Sequence, residues 1–181
     1  DQLAALPPSP VPLLMMGYLN PIMQYGFENF CRDCRRTHIS GMIIPDLPLA
    51  EYLRDYRPVV ERYGLHLILL ITPETPEARI RQIDEASGGF IYMVSSAATT
   101  GAQTAFDSAR LDYFRRIRRM RLRNPLMIGF GISNKATLDA AFAHASGAII
   151  GSKFVELLAQ SPSPALAAEK LMKALREESS N

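Results

Sequence analysis

The sequence lacks the features that identify secreted, membrane and nucleic-acid-binding proteins. Two cysteines among 181 residues cannot build a disulfide framework. No apolar run approaches the roughly 18 residues of a membrane span, and the opening DQLAALPPSPVP has neither the basic nor the apolar region of a signal peptide. The formal net charge of +2 is too small to indicate a polynucleotide. We therefore expect a protein of the reducing cytoplasm, with no membrane and no nucleic acid among its partners.

Side chains that bind metals or act as nucleophiles are also scarce. The histidines His38, His66 and His144 are scattered, and none has a cysteine or acidic motif at ligand spacing. Cys31 and Cys34 form C-x-x-C within a helical stretch and have no second cysteine pair, so we expect two partly buried thiols. We predict no metal site.

A repeated alternation of short apolar runs and longer amphipathic stretches is what the sequence does contain. With 48% apolar and 21% charged residues, the chain is long enough for one well-buried domain, and no linker or shift of composition divides it. The predicted strands are VPLLMMGY (11–18), GMIIPD (41–46), HLILLIT (66–72), FIYMVS (90–95), PLMIGF (125–130) and GAIIGS (147–152). Each is nearly continuously apolar, which is typical of parallel strands covered on both faces.

The stretches between these strands have the period of amphipathic helices. One apolar stripe consists of Leu49, Leu53, Tyr56, Val60 and Tyr63, and a second of Leu111, Phe114, Ile117 and Met120. The arginines of RRIRRMRLR (115–123) fall between residues of the second stripe, so we expect them to form mostly a solvated outer face. We predict one domain over residues 1–181, in which residues 1–10 are the tail of an upstream helix and a Pro-rich link.

Two glycine turns follow the last two predicted strands. Gly129-Phe130-Gly131 precedes an amphipathic stretch that begins with a serine. Gly151 likewise stands between the next strand and an amphipathic stretch that begins with a serine. GFGISN lacks the third glycine of a Rossmann fingerprint and follows the fifth strand instead of the first. TIM barrels, by contrast, bind phosphate through the loops after strands 7 and 8, where backbone N–H groups and a helix N-terminus approach the anion. The alternative is a tight turn without a ligand.

The fold class that follows is α/β, a TIM (β/α)8 barrel of which about six βα units, strands 3 to 8, are present. If GFGIS ends strand 7 and IIGS ends strand 8, the first strand of this sequence is strand 3. We therefore expect two further βα units upstream of Asp1. We also expect phosphate to bind between Gly131 and Gly151.

Five segments resemble, in order and spacing, the signatures of the tryptophan synthase alpha chain family: MGYLNPIMQYGFENF, GMIIPDLPLAE, GFIYMVSSAATTGAQ, GFGIS and GAIIGSKFVE. The resemblance implies a lyase of tryptophan biosynthesis that cleaves indole-3-glycerol phosphate to indole and glyceraldehyde 3-phosphate. It also implies a partner, the tryptophan synthase beta chain, in an alpha2beta2 complex. Pyridoxal phosphate is expected in that beta chain, and no cofactor is expected in this chain.

The resemblance further implies a set of substrate-binding residues, namely Tyr18, Tyr92, Thr100, Gly101, Phe130, Gly131, Gly151 and Ser152. Thr100 and Gly101 match a mobile loop after strand 6, and the small residues of 95–106 are typical of a lid. Gly131, Gly151 and Ser152 match the backbone cradle of the substrate phosphate.

The aromatic members of this set match positions around the rest of the substrate. Tyr18 and Tyr92 resemble positions near the indole and glycerol parts, and Phe130 lies beside the phosphate loop. For each tyrosine, packing in the barrel core is an equal alternative.

No catalytic residue is assigned within this sequence. The family's acid and base are a Glu at the end of strand 2 and an Asp in the following loop, and both are expected upstream of Asp1. A self-contained enzyme would have to recruit Asp46 or Glu74, the carboxylates at predicted strand ends. Asp46 matches a family position near the beta-chain face, and its ordinary role would be to accept hydrogen bonds from neighbouring loop N–H groups or to cap the next helix. Glu74 is most simply an exposed acid in the first turn of a helix.

Two other functions stay open. One is a non-catalytic barrel fragment that binds phosphate. The other is a different phosphate-binding barrel enzyme of the tryptophan or histidine pathways, against which the segment SSAATTGAQ argues.

Overall fold

The structure, a computed structural model, describes Ala5, residues 9–95 and residues 106–176. The chain divides into two compact units, the first formed by Asp1–Leu70 with Gln82–Ile91 and the second by Ile71–Arg81 with Tyr92–Asn181. The prediction of a single domain over residues 1–181 stays a prediction. Within the described ranges, no helix is long and apolar enough to cross a membrane.

All predicted strands are confirmed, with shorter bounds at most ends. They are β1 (Leu13–Met16), β2 (Ile39–Ile43), β3 (His66–Ile71), β4 (Ile91–Val94), β5 (Leu126–Gly129) and β6 (Gly147–Ile149). The helices are α1 (Leu19–Tyr25), α2 (Phe27–Arg36), α3 (Leu49–Glu51), α4 (Arg57–Arg62), α5 (Glu77–Ala86), α6 (Ser108–Arg119), α7 (Lys135–Phe142), α8 (Ser152–Ala159) and α9 (Pro164–Arg176). The prediction for β6 ran to residue 152, which instead begins α8.

In the first unit, β1, β2 and β3 form a parallel ladder in which Met42 pairs with Met15 and with Leu67. The prediction that strands are covered on both faces is correct for β2 and β3, whose Met42 and Leu67 are almost fully buried. It is wrong for β1, where Met16 is 56% exposed. β1 is an edge strand of the described sheet and pairs with β2 alone.

A π-helical segment, Tyr52–Tyr56, joins α3 to α4. Pro58 lies at the start of α4, and because proline has no N–H it cannot complete the ordinary helical bond to the fourth residue before it. The wider turn shifts the phase of the apolar stripe. Tyr52 is therefore buried, whereas Leu53, which the helical period placed in the stripe, is 41% exposed.

In the second unit, α6 contributes the centre of the core. Phe114 is completely buried and packs edge-on against Phe106, with ring centroids 5.2 Å apart. Ile117 and Met120 are buried on the same side, which confirms this predicted stripe. The neighbouring arginines 115, 118 and 119 are exposed as expected.

Arg116 is the exception among these arginines. It is half-buried, and its guanidinium donates hydrogen bonds to the carbonyl oxygens of Pro73 at 2.7 Å and Thr75 at 3.4 Å. The guanidinium also lies over the ring of Tyr113, 5.6 Å from its centroid, and the Tyr113 hydroxyl donates to the Ile71 carbonyl at 3.2 Å. Together these two side chains hold the connection between β3 and α5.

Candidate active site

The two glycine turns follow the carboxyl ends of the neighbouring strands β5 and β6. The parallel register pairs Gly129 with Ile149, the last residues of these strands. A Cβ on Gly151 would meet no atom within 4 Å, which indicates open space at this turn. The phosphate site that the sequence predicts at these turns stays a prediction.

The helices behind these turns differ at their amino ends. Asn134 caps α7 by accepting a hydrogen bond from the Thr137 N–H at 2.9 Å, and Thr137 completes the capping box. Gly151 caps α8 and offers no side-chain hydrogen bond. The first N–H groups of α8, beginning at Ser152, therefore lack the side-chain acceptor that α7 has. Since such N–H groups and the helix dipole attract anions, the amino end of α8 is more available to an anion than that of α7.

The turn after β5 has an unusual backbone. Both Phe130 and Gly131 have positive φ values, 69° and 81°, and a non-glycine residue in this region stores strain. Ser95, which is buried, holds the turn: its Oγ donates to the Phe130 carbonyl at 2.7 Å and its N–H to the Gly129 carbonyl at 3.2 Å. The expectation that the lid begins at Ser95 is therefore wrong, because this residue is buried and hydrogen-bonded to the turn after β5.

Tyr92 and Phe130 form an aromatic pair beside this turn. Their ring centroids are 6.1 Å apart and the ring planes are inclined by 21°. Tyr92 is 5% exposed, whereas Phe130 is 41% exposed, so Phe130 presents a free face. Burial raises the pKa of Tyr92 above its ordinary value, which keeps the phenol protonated at neutral pH. The pair supplies an apolar wall next to the glycine turns.

The candidates of the first unit lie at the ends of β1 and β2. Tyr18 occupies the N-cap position of α1, but its side chain makes no capping hydrogen bond and is 69% exposed. The Oδ1 of Asp46 accepts a hydrogen bond from the Leu19 N–H at 2.9 Å. Leu19 begins α1, so Asp46 acts as the cap that Tyr18 does not supply. The expectation that Asp46 caps the next helix is therefore wrong: it caps α1, and no described side chain caps α3.

The remaining sequence predictions concern the loop after β4, the thiols and metals. Thr100 and Gly101, like the rest of residues 96–105, lie outside the described residues. Cys31 and Cys34 are both free and buried on α2, more deeply than expected. In the part of the chain that the structure describes, no group of three or more His, Cys, Asp or Glu side chains could hold a metal ion.

This chain has relatives in sequence and in structure. Residues 5–180 match the family described as tryptophan synthase alpha chain. A tryptophan synthase alpha chain of Parabacteroides distasonis is 60% identical over 92% of this chain and 65% of its own length, and one of Bacteroides thetaiotaomicron is 61% identical over the same shares. A solved tryptophan synthase alpha-subunit of Pyrococcus furiosus covers 92% of this chain and 67% of its own chain, with a TM-score of 0.80 and 27% identity.

The chain spans about 65% of the length of these bacterial relatives. Because the likeness to the solved alpha-subunit covers nearly the whole chain, the predicted fold class is confirmed: the six strands and their helices form part of an α/β TIM-like fold. The order of strands, the glycine turns at the ends of β5 and β6 and the match over residues 5–180 agree with one another. This chain belongs to the tryptophan synthase alpha chain family.

Proposed function

We propose that this chain forms the phosphate-binding side of an active site that cleaves indole-3-glycerol phosphate to indole and glyceraldehyde 3-phosphate in tryptophan biosynthesis. The observation that carries this proposal is the pair of glycine turns, at Gly131 and Gly151, that follow neighbouring parallel strands, with an amino end of α8 that no described side chain caps at the second turn. Membership of the family supports the choice of substrate and reaction. Backbone N–H groups near Gly131 and from Ser152 onward bind the phosphate, and the Ser152 hydroxyl contributes.

The aromatic residues hold the rest of the substrate in this proposal. Phe130 offers its exposed ring face to the apolar part of the substrate, and Tyr92 fixes the position of Phe130 from behind. Tyr18, at the end of β1, and Thr100 and Gly101, which lie outside the described residues, remain substrate-binding candidates of this proposal. Holding the phosphate at one end and the indole at the other orients the bond that breaks.

Cleavage requires two proton transfers. The bond between indole C3 and the glycerol carbon breaks, its electron pair stays on the indole and C3 receives a proton, while the glycerol hydroxyl loses its proton and becomes the aldehyde carbonyl. Asp46 already accepts the Leu19 N–H, and Glu74 is an exposed side chain in the connection after β3. We assign neither of them as acid or base.

The partner in this proposal is a tryptophan synthase beta chain in an alpha2beta2 complex, with pyridoxal phosphate bound by the beta chain. Asp46 is the candidate for the face toward that partner. Its capping bond to α1 would fix the connection after β2 against the connection after β1, which gives a partner a defined surface at these two strand ends.

Binding of glycerol 3-phosphate, the phosphate half of the substrate, tests the proposal. Ser152→Asp places a carboxylate at the start of α8, where it favours the helix but repels phosphate. Ala136→Asp places the same charge in the first turn of α7 and is the matched control. We expect titration calorimetry to show a loss of affinity of about tenfold or more for Ser152→Asp, and a much smaller loss for Ala136→Asp. Equal losses, or no binding by the unchanged chain, would reject the phosphate site.

The reaction itself is tested by measuring the release of indole from indole-3-glycerol phosphate. We expect no release above background from the 181-residue chain alone. Release that disappears in Asp46→Asn or Glu74→Gln would show that this chain recruits its own carboxylates. Binding of glycerol 3-phosphate without any release of indole, when a beta chain and the unmatched segment of a relative are added, would favour the non-catalytic alternative.

A further inference from the structure

A second concave surface lies at the opposite ends of β5 and β6 from the glycine turns. A cavity of about 460 Å³ opens there between the residues that precede each strand, 121–126 and 142–146, with Arg118 of α6 completing its wall. An adjoining cavity of about 360 Å³ shares Arg118, Arg121 and His144 with it. Cavities of this size take small-molecule ligands.

One wall of these cavities is strongly cationic. The smaller cavity is lined by Arg115, Arg118, Arg119, Arg121 and His144, and no Asp or Glu lines either cavity among the described residues. Arg118 donates to the Ala143 carbonyl, which ties α6 to the connection before β6. Arg115 is paired with Asp112 at 2.9 Å, whereas Arg118, Arg119 and Arg121 form no ion pair with any described residue. Guanidinium groups that line one cavity and are not neutralised by a carboxylate are suited to phosphate.

The other wall of the larger cavity is apolar. Leu122, Pro125 and Leu126 line it on the side of β5, and Phe142, the last residue of α7, lines it on the side of β6. The side chain of Phe142 is 55% exposed. An exposed phenyl ring beside guanidinium groups provides a surface on which a planar ring can stack.

His144 connects the two walls. It lines both cavities and packs against Phe114, with ring centroids 6.0 Å apart. Its Nδ1 is buried and has no hydrogen-bond partner in the described part of the chain. Burial and then the charges of Arg118 and Arg115 lower the pKa of His144. An anion bound beside these arginines would offset their charge, so the imidazole can report on occupancy.

We propose that this cavity binds a small phosphate ester that carries a planar ring, the chemistry of a nucleoside mono- or diphosphate. The arginines bind the phosphate groups, and Phe142 stacks on the ring. A single nucleotide fits better than a nucleic acid strand, because the cationic side chains converge on a concave site and the net charge of the chain is only +2. The site uses no residue of the proposed active site.

Titration calorimetry with three probes distinguishes the contributions of the two walls to binding. ADP presents both ring and phosphates, pyrophosphate presents only the phosphates and adenosine only the ring. We expect ADP to bind more tightly than either of the others. The double variant Arg119→Gln with Arg121→Gln should lower the affinity for ADP and for pyrophosphate by about tenfold or more. Phe142→Ala should lower the affinity for ADP by about threefold or more but leave the affinity for pyrophosphate unchanged.

The matched control is Arg35→Gln with Arg36→Gln, which removes the same charge from two exposed arginines at the end of α2. We expect this variant to bind ADP as the unchanged chain does, and NMR signals of the His144 imidazole to shift on addition of ADP. Thermal unfolding of each variant verifies that it folds.

Several results would overturn the proposal. One is that ADP does not bind at millimolar concentration. Another is that the arginine variant and its control lose affinity for ADP equally. A third is that Ser152→Asp abolishes ADP binding, which would place ADP at the glycine turns. Affinity for single-stranded oligonucleotides that exceeds that for ADP and grows with length would indicate a nucleic-acid surface instead.

Discussion

Gly129 leaves the space that the ring of Tyr92 fills: a Cβ on Gly129 would lie 2.2 Å from Cε2 and 2.5 Å from the phenol oxygen of Tyr92. Real atoms do not approach so closely, so any side chain at position 129 displaces the ring. Because Tyr92 stacks on Phe130, this displacement would also move the turn that leads to Gly131. The packing of β4 against β5 and the position of the proposed substrate-binding turn therefore both depend on the absence of a side chain at Gly129.

Gly129→Ala should lower the free energy of unfolding by about 1–3 kcal/mol, because it overpacks the ring of Tyr92. Urea denaturation measures the change. Gly17→Ala is the control, since a Cβ there meets nothing within 4 Å and its effect should stay within about 0.5 kcal/mol. If the contact causes the loss, Tyr92→Ala combined with Gly129→Ala should cost less than the sum of the two single changes. Additive losses would contradict this origin.

Removing the guanidinium of Arg116 should destabilise the chain by about 1–3 kcal/mol, because its hydrogen bonds to the Pro73 and Thr75 carbonyls are charge-assisted and half-buried. Arg116→Lys keeps the charge but not the planar fork, so we expect an intermediate loss. Arg81→Ala, an exposed arginine of α5, is the control. Thermal unfolding compares the three. A loss for Arg81→Ala equal to that for Arg116→Ala would show that charge and not the contact is responsible.

Asp46→Ala should cost about 0.5–2 kcal/mol, the usual contribution of a helix cap, because the Leu19 N–H loses its acceptor. Asp46→Asn keeps an oxygen at this position, so its stability should stay close to that of the unchanged chain. Hydrogen exchange at the start of α1 locates the effect. An unchanged exchange rate in Asp46→Ala would show that this bond does not stabilise α1.

The buried thiols of Cys31 and Cys34 should make the free energy of unfolding fall at alkaline pH. Burial raises the pKa of Cys31 to about 12 and of Cys34 to about 11, from an ordinary value of 9.0. Because the folded state favours the protonated thiol, this contribution is complete below pH 9 and is lost as the pH rises toward the folded pKa values. Each thiol contributes a slope of at most about 1.4 kcal/mol per pH unit. Urea unfolding between pH 8 and pH 10 measures the slope.

The variant with Cys31→Ala and Cys34→Ala should show a smaller slope over the same pH range. Tyr113, whose pKa is also raised by burial, remains in both proteins and does not affect the comparison. An identical slope would assign the alkaline loss to other groups.

The sequence by itself determined the strands, their order and the two glycine turns, because these features are local. Apolar runs ending at Gly, Pro or Ser identify buried strands regardless of what covers them. The glycine at position 131 is required where φ reaches 81°. The segments around these turns also carried the resemblance to the family, since their order and spacing can be read directly.

Only the tertiary structure decided which of these residues act together. Ser95 and Phe130 are 35 residues apart in the chain and form a hydrogen bond, and no local pattern encodes such a pairing. Periodicity placed Leu53 in a buried stripe, but the π segment turned it outward. The sequence also treated the helices after both glycine turns alike, although Asn134 occupies the amino end of α7 and leaves that of α8 available. Each outcome depends on distances between distant segments, which spacing along a chain does not specify.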